Sequence, residues 1–291
     1  MSKNILHERN VMFKDIDDYE DRLRISMEGL DTYLSGLKNF FLRKFTSLSN
    51  IIGKISSDTL PTVRVGKGEY NTEIKHLIAL KSSLASTAEY LKYDNYAEKS
   101  YPTIPGLKVD YLELSTKLAD IVLSIKENIY KDVDEADSVV GRYLGDEGYR
   151  IASYVDTKAG DEIKARAEQY YAMLNSVIDD KLFADTTKFK SMVPNLSSLI
   201  TVVDNIAIAG DGLTLEFLKN LNIKLEALSA KVKTLLDVVQ KNPSMQSSKV
   251  VTKYLSSIVY DVANEVSYAI AIVHLVNESA TMMKYVINQI K

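Results

Sequence analysis

From Ile16 to Ile55 an apolar residue returns every three or four positions without a miss: Ile16, Tyr19, Leu23, Met27, Leu30, Leu34, Leu37, Phe41, Phe45, Leu48, Ile52, Ile55. The mean step, about 3.5 residues, falls between the heptad repeat and the straight-helix period, so one stripe stays on one side throughout. Only a helix has that period. The spacing predicts a single helix over 12–57, roughly 45 residues and about 67 Å long. Gly29, Gly36 and Gly53 weaken it by about 1 kcal/mol each relative to alanine, and Gly36 marks the place for a bend.

The other end of the chain repeats the pattern. Val251, Leu255, Ile258, Val262, Val266, Ala269, Val273, Val276, Ala280, Met283, Ile287 and Ile290 step by threes and fours, with Ser247 or Ser248 as the cap. A third stripe, Leu218, Leu221, Leu225, Leu228, Val232, Leu235 and Val239, predicts a helix opened by Asp211 and closed at Asn242-Pro243. Shorter helices are predicted over 72–93, 110–131, 161–183 and 186–208, the last kinked or split at Pro194. The sequence therefore predicts an all-α fold, an elongated antiparallel bundle of long amphipathic helices. It reads as one domain over 1–291, with a flexible N-terminal 1–11. Its loops fall near 58–69, 95–106, 141–160 and 209–212, where glycine and proline collect. Leu34 and Leu225 are predicted core residues.

Composition narrows what such a bundle does. Apolar residues make up 46% and charged residues 26%, enough apolar content for a sizeable core. The net charge of −3 gives no global field to hold a polyanion, so general nucleic-acid binding is disfavoured. The absence of cysteine excludes disulfides, thiolate zinc sites and a cysteine nucleophile. The first residues lack the apolar core of a signal peptide, and no run of 18 apolar residues suggests a transmembrane helix. The expected location is a virion or the host cytoplasm.

Motifs with the spacing of chemical sites resolve into ordinary structure. Glu73 and His76 share a helix face, but a carboxylate-bridged di-metal bundle needs a second such pair, which His7 and His274 do not supply. His274, in an apolar run, reads as a core or interface histidine. Val65-Gly66-Lys67-Gly68 lacks the preceding strand and the Lys-Ser/Thr of a phosphate loop. The acidic run Asp15, Asp17, Asp18, Glu20 and Asp21 suits the positive end of a helix dipole. No catalytic residue, cofactor or metal is predicted, and no small-molecule substrate is inferred.

Two features stand out as candidate interaction surfaces. Residues 36–55 carry Lys38, Arg43, Lys44 and Lys54 with no acid between Thr32 and Ser57, beside Phe40, Phe41, Phe45 and Ile52. A basic amphipathic helix of this kind meets anionic membrane, DNA or a partner helix, or else packs in the bundle as the unbroken stripe suggests. Tyr90, Tyr93, Tyr96 and Tyr101 cluster at a helix end and the loop after it; they fit a binding surface or simple loop packing.

Met27-Glu28-Gly29-Leu30, followed by Tyr33-Leu34, Leu37-Lys38, Phe40-Phe41 and Lys44-Phe45, resembles N-terminal segments of internal head proteins of large tailed bacteriophages. The resemblance covers roughly 25 residues and implies packing inside a capsid or ejection with the genome. The expected function is thus that of a non-enzymatic structural or scaffold protein, a bacteriophage virion component. It would make helix-mediated contacts with itself or with other virion proteins. Two alternatives stay open: a membrane-active, pore-forming or ejected helical protein acting through 36–55, and a regulatory binding module.

Overall fold

The computed structural model describes Asn39, Leu42, Arg43, Thr46 and Asn50, then residues 72–86, 100–101, 106–144, 158–178, 187–188, 193, 196–211, 213, 215–241 and 249–290. Six helices occupy most of them: α1 (Thr72–Ser86), α2 (Tyr111–Leu144), α3 (Lys158–Val177), α4 (Leu196–Asp211), α5 (Leu215–Lys241) and α6 (Lys249–Ile290). Two short strands, β1 (Ser100–Tyr101) and β2 (Thr187–Lys188), pair antiparallel with Ser100 opposite Lys188. The fold is an all-α bundle. Its longest described stave, α6, spans 42 residues, about 63 Å.

Local chemistry starts α2 cleanly. Gly106 takes a left-handed turn at φ 75°, a conformation glycine adopts at little steric cost. The chain then crosses the end of α3, where Lys108 N donates to Val177 O at 3.0 Å. Asp110 caps α2: its Oδ1 accepts from Glu113 N at 2.7 Å, and its carbonyl takes the first helical bond from Leu114 N. From there Leu114, Leu118, Ile121, Ile125, Ile129, Val133, Ala136, Val140 and Tyr143 are all buried. That series carries α2 to Leu144, well past the 110–131 predicted. Gly141 lies inside the helix rather than opening the 141–160 loop, because its penalty is small against the burial on either side. α3 begins at Lys158 and likewise runs through Gly160.

Partners across the helix seams fix their directions. Lys117 meets Ser176, Ser124 meets Tyr170 and Asp132 meets Arg166, so α2 and α3 run antiparallel. Along another side of α2, Ser115 meets Asn205, Tyr130 meets Phe217, Asp134 meets Lys224 and Asp137 meets Lys231. Both numbers rise together. α4 and α5 therefore run parallel to α2 and opposite to α3, so the staves alternate in direction along the chain. The expected turn at 209–212 does not reverse the chain: Gly210 and Asp211 stay in α4, and the two helices meet at a bend of only 42°. Asp211 ends α4 instead of capping α5. Leu213, buried at the bend, donates its N–H to Gly210 O at 3.1 Å. α4 begins at Leu196, two residues past Pro194, as a proline break requires.

α6 packs against α3, α2, α1 and α4. Residues 261–270 are buried without interruption, so this stretch is enclosed on every side. Its hydroxyls make that enclosure affordable within the helix itself: Ser267 donates to Ala263 O at 2.6 Å, and Ser279 to Leu275 O at 2.7 Å. Leu225 is fully buried, as predicted, whereas Leu34 lies outside the described residues.

Candidate functional site

Among the described residues, a concentrated polar cluster in the bundle interior is built by three helices. Asp132 comes from the buried face of α2, Arg166 and Tyr170 from α3, and Glu265 from the enclosed middle of α6. Arg166 grips Asp132 with both prongs: Nε donates to Oδ2 and Nη2 to Oδ1, each at 2.5 Å. Such a bidentate pair is the strongest ion-pair geometry available to a carboxylate. Arg166 Nε also stands 3.8 Å from Glu265 Oε1, close enough for attraction but too far for a hydrogen bond. No donor reaches either Glu265 oxygen, although the residue is 0% exposed; its carboxyl sits instead against Asp132, whose oxygen accepts the acid proton.

Electrostatics follows from that count of two carboxyls to one guanidinium. Burial disfavours a charged Glu265, and the adjacent Asp132 carboxylate adds repulsion that Arg166 only partly offsets. The Glu265 carboxyl is pushed up to about 10. At neutral pH Glu265 thus keeps its proton. Burial works against the Arg166 charge as well, but the hydrogen bonds and charge of Asp132 outweigh it and leave the guanidinium more firmly protonated. Burial also raises the Tyr170 phenol, which lies 3.2 Å from Ser124 Oγ, so it remains neutral.

A second seam joins α2 to α5. Tyr130 stacks on Phe217 with ring centroids 4.9 Å apart and donates its hydroxyl to Phe217 O at 2.7 Å. Lys224 Nζ lies 5.6 Å from the same ring centre, within cation–π range. Burial, then the charge of Glu216, pushes Tyr130 up to about 12.

Chemically the carboxyl cluster is a lock. A neutral acid beside a phenol and a guanidinium has the makings of proton transfer, but Glu265 has no exposed surface for a reactant to approach. What the arrangement does is fix register. Sliding α2, α3 or α6 by one turn would separate Arg166 from Asp132 and strand an ion in the core.

Comparison with protein-family models, with curated proteins and with solved structures gave no match.

The surfaces singled out in the sequence lie elsewhere. Arg43 is helical and exposed, as are Asn39, Thr46 and Asn50 along the same helix side; Lys38, Lys44 and Lys54 lie outside the described residues. Tyr101 is paired in β1, while Tyr90, Tyr93 and Tyr96 also lie outside them. His76 is exposed on α1, and His274 is half-buried on α6. Among the described residues, no three His, Asp or Glu side chains converge as a metal site would require. The sequence reading missed the carboxyl cluster, though one signal was there. Glu265 sits three residues past Val262 and four before Ala269, on the apolar stripe itself.

Among the described residues, one helical stretch, Ser257–Lys284, is long and apolar enough to cross a membrane. Of its most apolar window, 83% is buried inside the bundle. Presenting it to lipid means removing the central stave from four neighbouring helices.

Proposed function

We propose that this chain is a non-enzymatic structural protein that works by helix-to-helix contact, as an internal head component of a tailed-bacteriophage virion. The observation that carries the structural part is the sealed Arg166–Asp132–Glu265 cluster. Ionisable groups in an enzyme are placed where a substrate meets them; these are spent on holding three helices in one register. The buried length of α6 and the α2–α5 seam add further contacts that hold the helices in place. The virion assignment rests on the resemblance of Met27 to Phe45 to internal head proteins.

The test is mass spectrometry of density-purified, DNA-filled particles from a lysate of the phage that encodes the chain. The expected result is a fixed stoichiometry to the major capsid protein that survives a high-salt wash. Recovery only in the soluble lysate would remove the virion assignment.

A further inference from the structure

The outward face of α5 is a charge pattern that reads as its own complement when reversed. The helix buries Leu218, Leu221, Leu225, Leu228, Val232 and Leu235. On the opposite side an apolar line of Ile223, Ala227, Ala230 and Thr234 is exposed. Ile223, at 62% exposure, is the most exposed large apolar side chain among the described residues. Thr234 donates its hydroxyl to Ala230 O at 3.0 Å, which satisfies the polar end and leaves its methyl outward. At 100° per residue these four positions fall within about 60° of one another.

Lys224 and Lys231 are turned to Asp134 and Asp137 of α2; the charges left beside this line alternate in sign along the helix: Glu216, Lys219, Glu226, Lys233, Asp237, Lys241. All are exposed except Asp237, which is half-buried. Laid against an identical helix running the other way, Glu216 faces Lys241, Lys219 faces Asp237 and Glu226 faces Lys233, each pair twice by symmetry. In that register Ala227 meets Ala230 at the centre and Ile223 meets Thr234 on either side. Small residues at the middle let two backbones approach closely, and the isoleucines flank the contact. A parallel arrangement would instead set Glu216 and Lys241, which lie on the apolar line, against their own copies.

We propose that α5 is the site at which a second copy of this chain docks, antiparallel, about a two-fold axis between Ala227 and Ala230. Self-complementarity of one patch is what a two-fold interface demands. The inference deepens the structural reading above, naming the contact through which the chain assembles. A single helix pair buries less than the roughly 1,200 Å² of a standard interface, so the dimer is weak in isolation, at about 10–100 µM, and gains from repetition in an assembly.

Analytical ultracentrifugation of the full chain tests this. Glu226→Lys alone and Lys233→Glu alone should each weaken the dimer about tenfold. The double variant should restore it, because the exchanged charges again face each other. The chain has no cysteine, so engineered thiols report geometry directly. A mixture of Ala227→Cys and Ala230→Cys chains should give a covalent dimer on oxidation faster than either variant alone. A chain that stays monomeric at about 100 µM overturns the proposal, as does a double variant no better than the singles. So does preferential cross-linking of Ala227→Cys to itself. Self-association indifferent to every α5 variant also overturns it, while leaving the structural reading standing. Failure of the chain to co-purify with virions removes that reading's setting without touching the dimer.

Discussion

Arg166 reaches both oxygens of Asp132 at 2.5 Å yet stops 3.8 Å short of Glu265. One guanidinium thus fully neutralises one carboxylate and leaves the other to be silenced by a proton. Three helices are joined through that inequality: α2 and α3 by an ion pair, α6 by a neutral acid.

The neutral acid makes stability depend on pH in a defined direction. Glu265 is raised to about 10 in the folded chain from 4.5, its ordinary value. A group raised on folding contributes its full stabilisation below the unfolded value, and that contribution is lost as pH rises through the folded one. Between roughly pH 5 and pH 10 the unfolded chain releases a proton the folded chain keeps, at a slope of up to about 1.4 kcal/mol per pH unit. Glu265→Gln should therefore flatten the fall in melting temperature across that window and be the more stable form at pH 9. Parallel melting curves for the two proteins would mean Glu265 is ionised in the native state.

Breaking the ion pair from one side should be costly. Arg166→Met leaves Asp132 charged in the core without a partner, for a loss of about 3–5 kcal/mol. Arg166→Met with Asp132→Leu removes both charges and should recover most of that loss, because an apolar pair carries no desolvation penalty. Urea melts of the two variants decide it; a double variant as unstable as the single would point to lost packing instead of electrostatics.

Leu225 tests the α5 core stripe. It is fully buried, and Leu225→Ala should cost about 2–5 kcal/mol. A change below about 0.5 kcal/mol, the scale of surface substitutions, would place that face outside the cooperative core.

Gly141 offers a gain. It lies inside α2, and an added Cβ would meet only Lys231 Nζ at 3.7 Å, an ordinary contact. Gly141→Ala should stabilise the chain by about 0.5 kcal/mol through lower unfolded-state entropy and better helix propensity. A drop in melting temperature would show that the helix uses the glycine at its C-terminal turns.

Period and sign of side chains were legible without any structure. The three-and-four spacing of Leu218 to Leu235 and of Ile258 to Ile287 marked α5 and α6, because hydrophobic burial imposes the helical period on the sequence directly. Proline placement marked where α5 stops and a break at Pro194, but not that the range before that break, predicted as helix from 186, pairs at Thr187–Lys188 as β2. Glycine misled at Gly141 and Gly210, since a local propensity of about 1 kcal/mol yields to packing along a long helix.

Which helices become neighbours, and how deep each lies, were not legible, because both depend on tertiary packing. The parallel run of α4 and α5 along α2 follows from a 42° bend that no residue type announces. The complete enclosure of 261–270 turns a one-sided stripe into a central stave. Glu265 shows the division most plainly. Its place on the stripe is written in the sequence. Its neutrality arises only when α2 and α3 bring Asp132 and one arginine beside it, because the proton affinity of a buried acid is set by the charges packed around it.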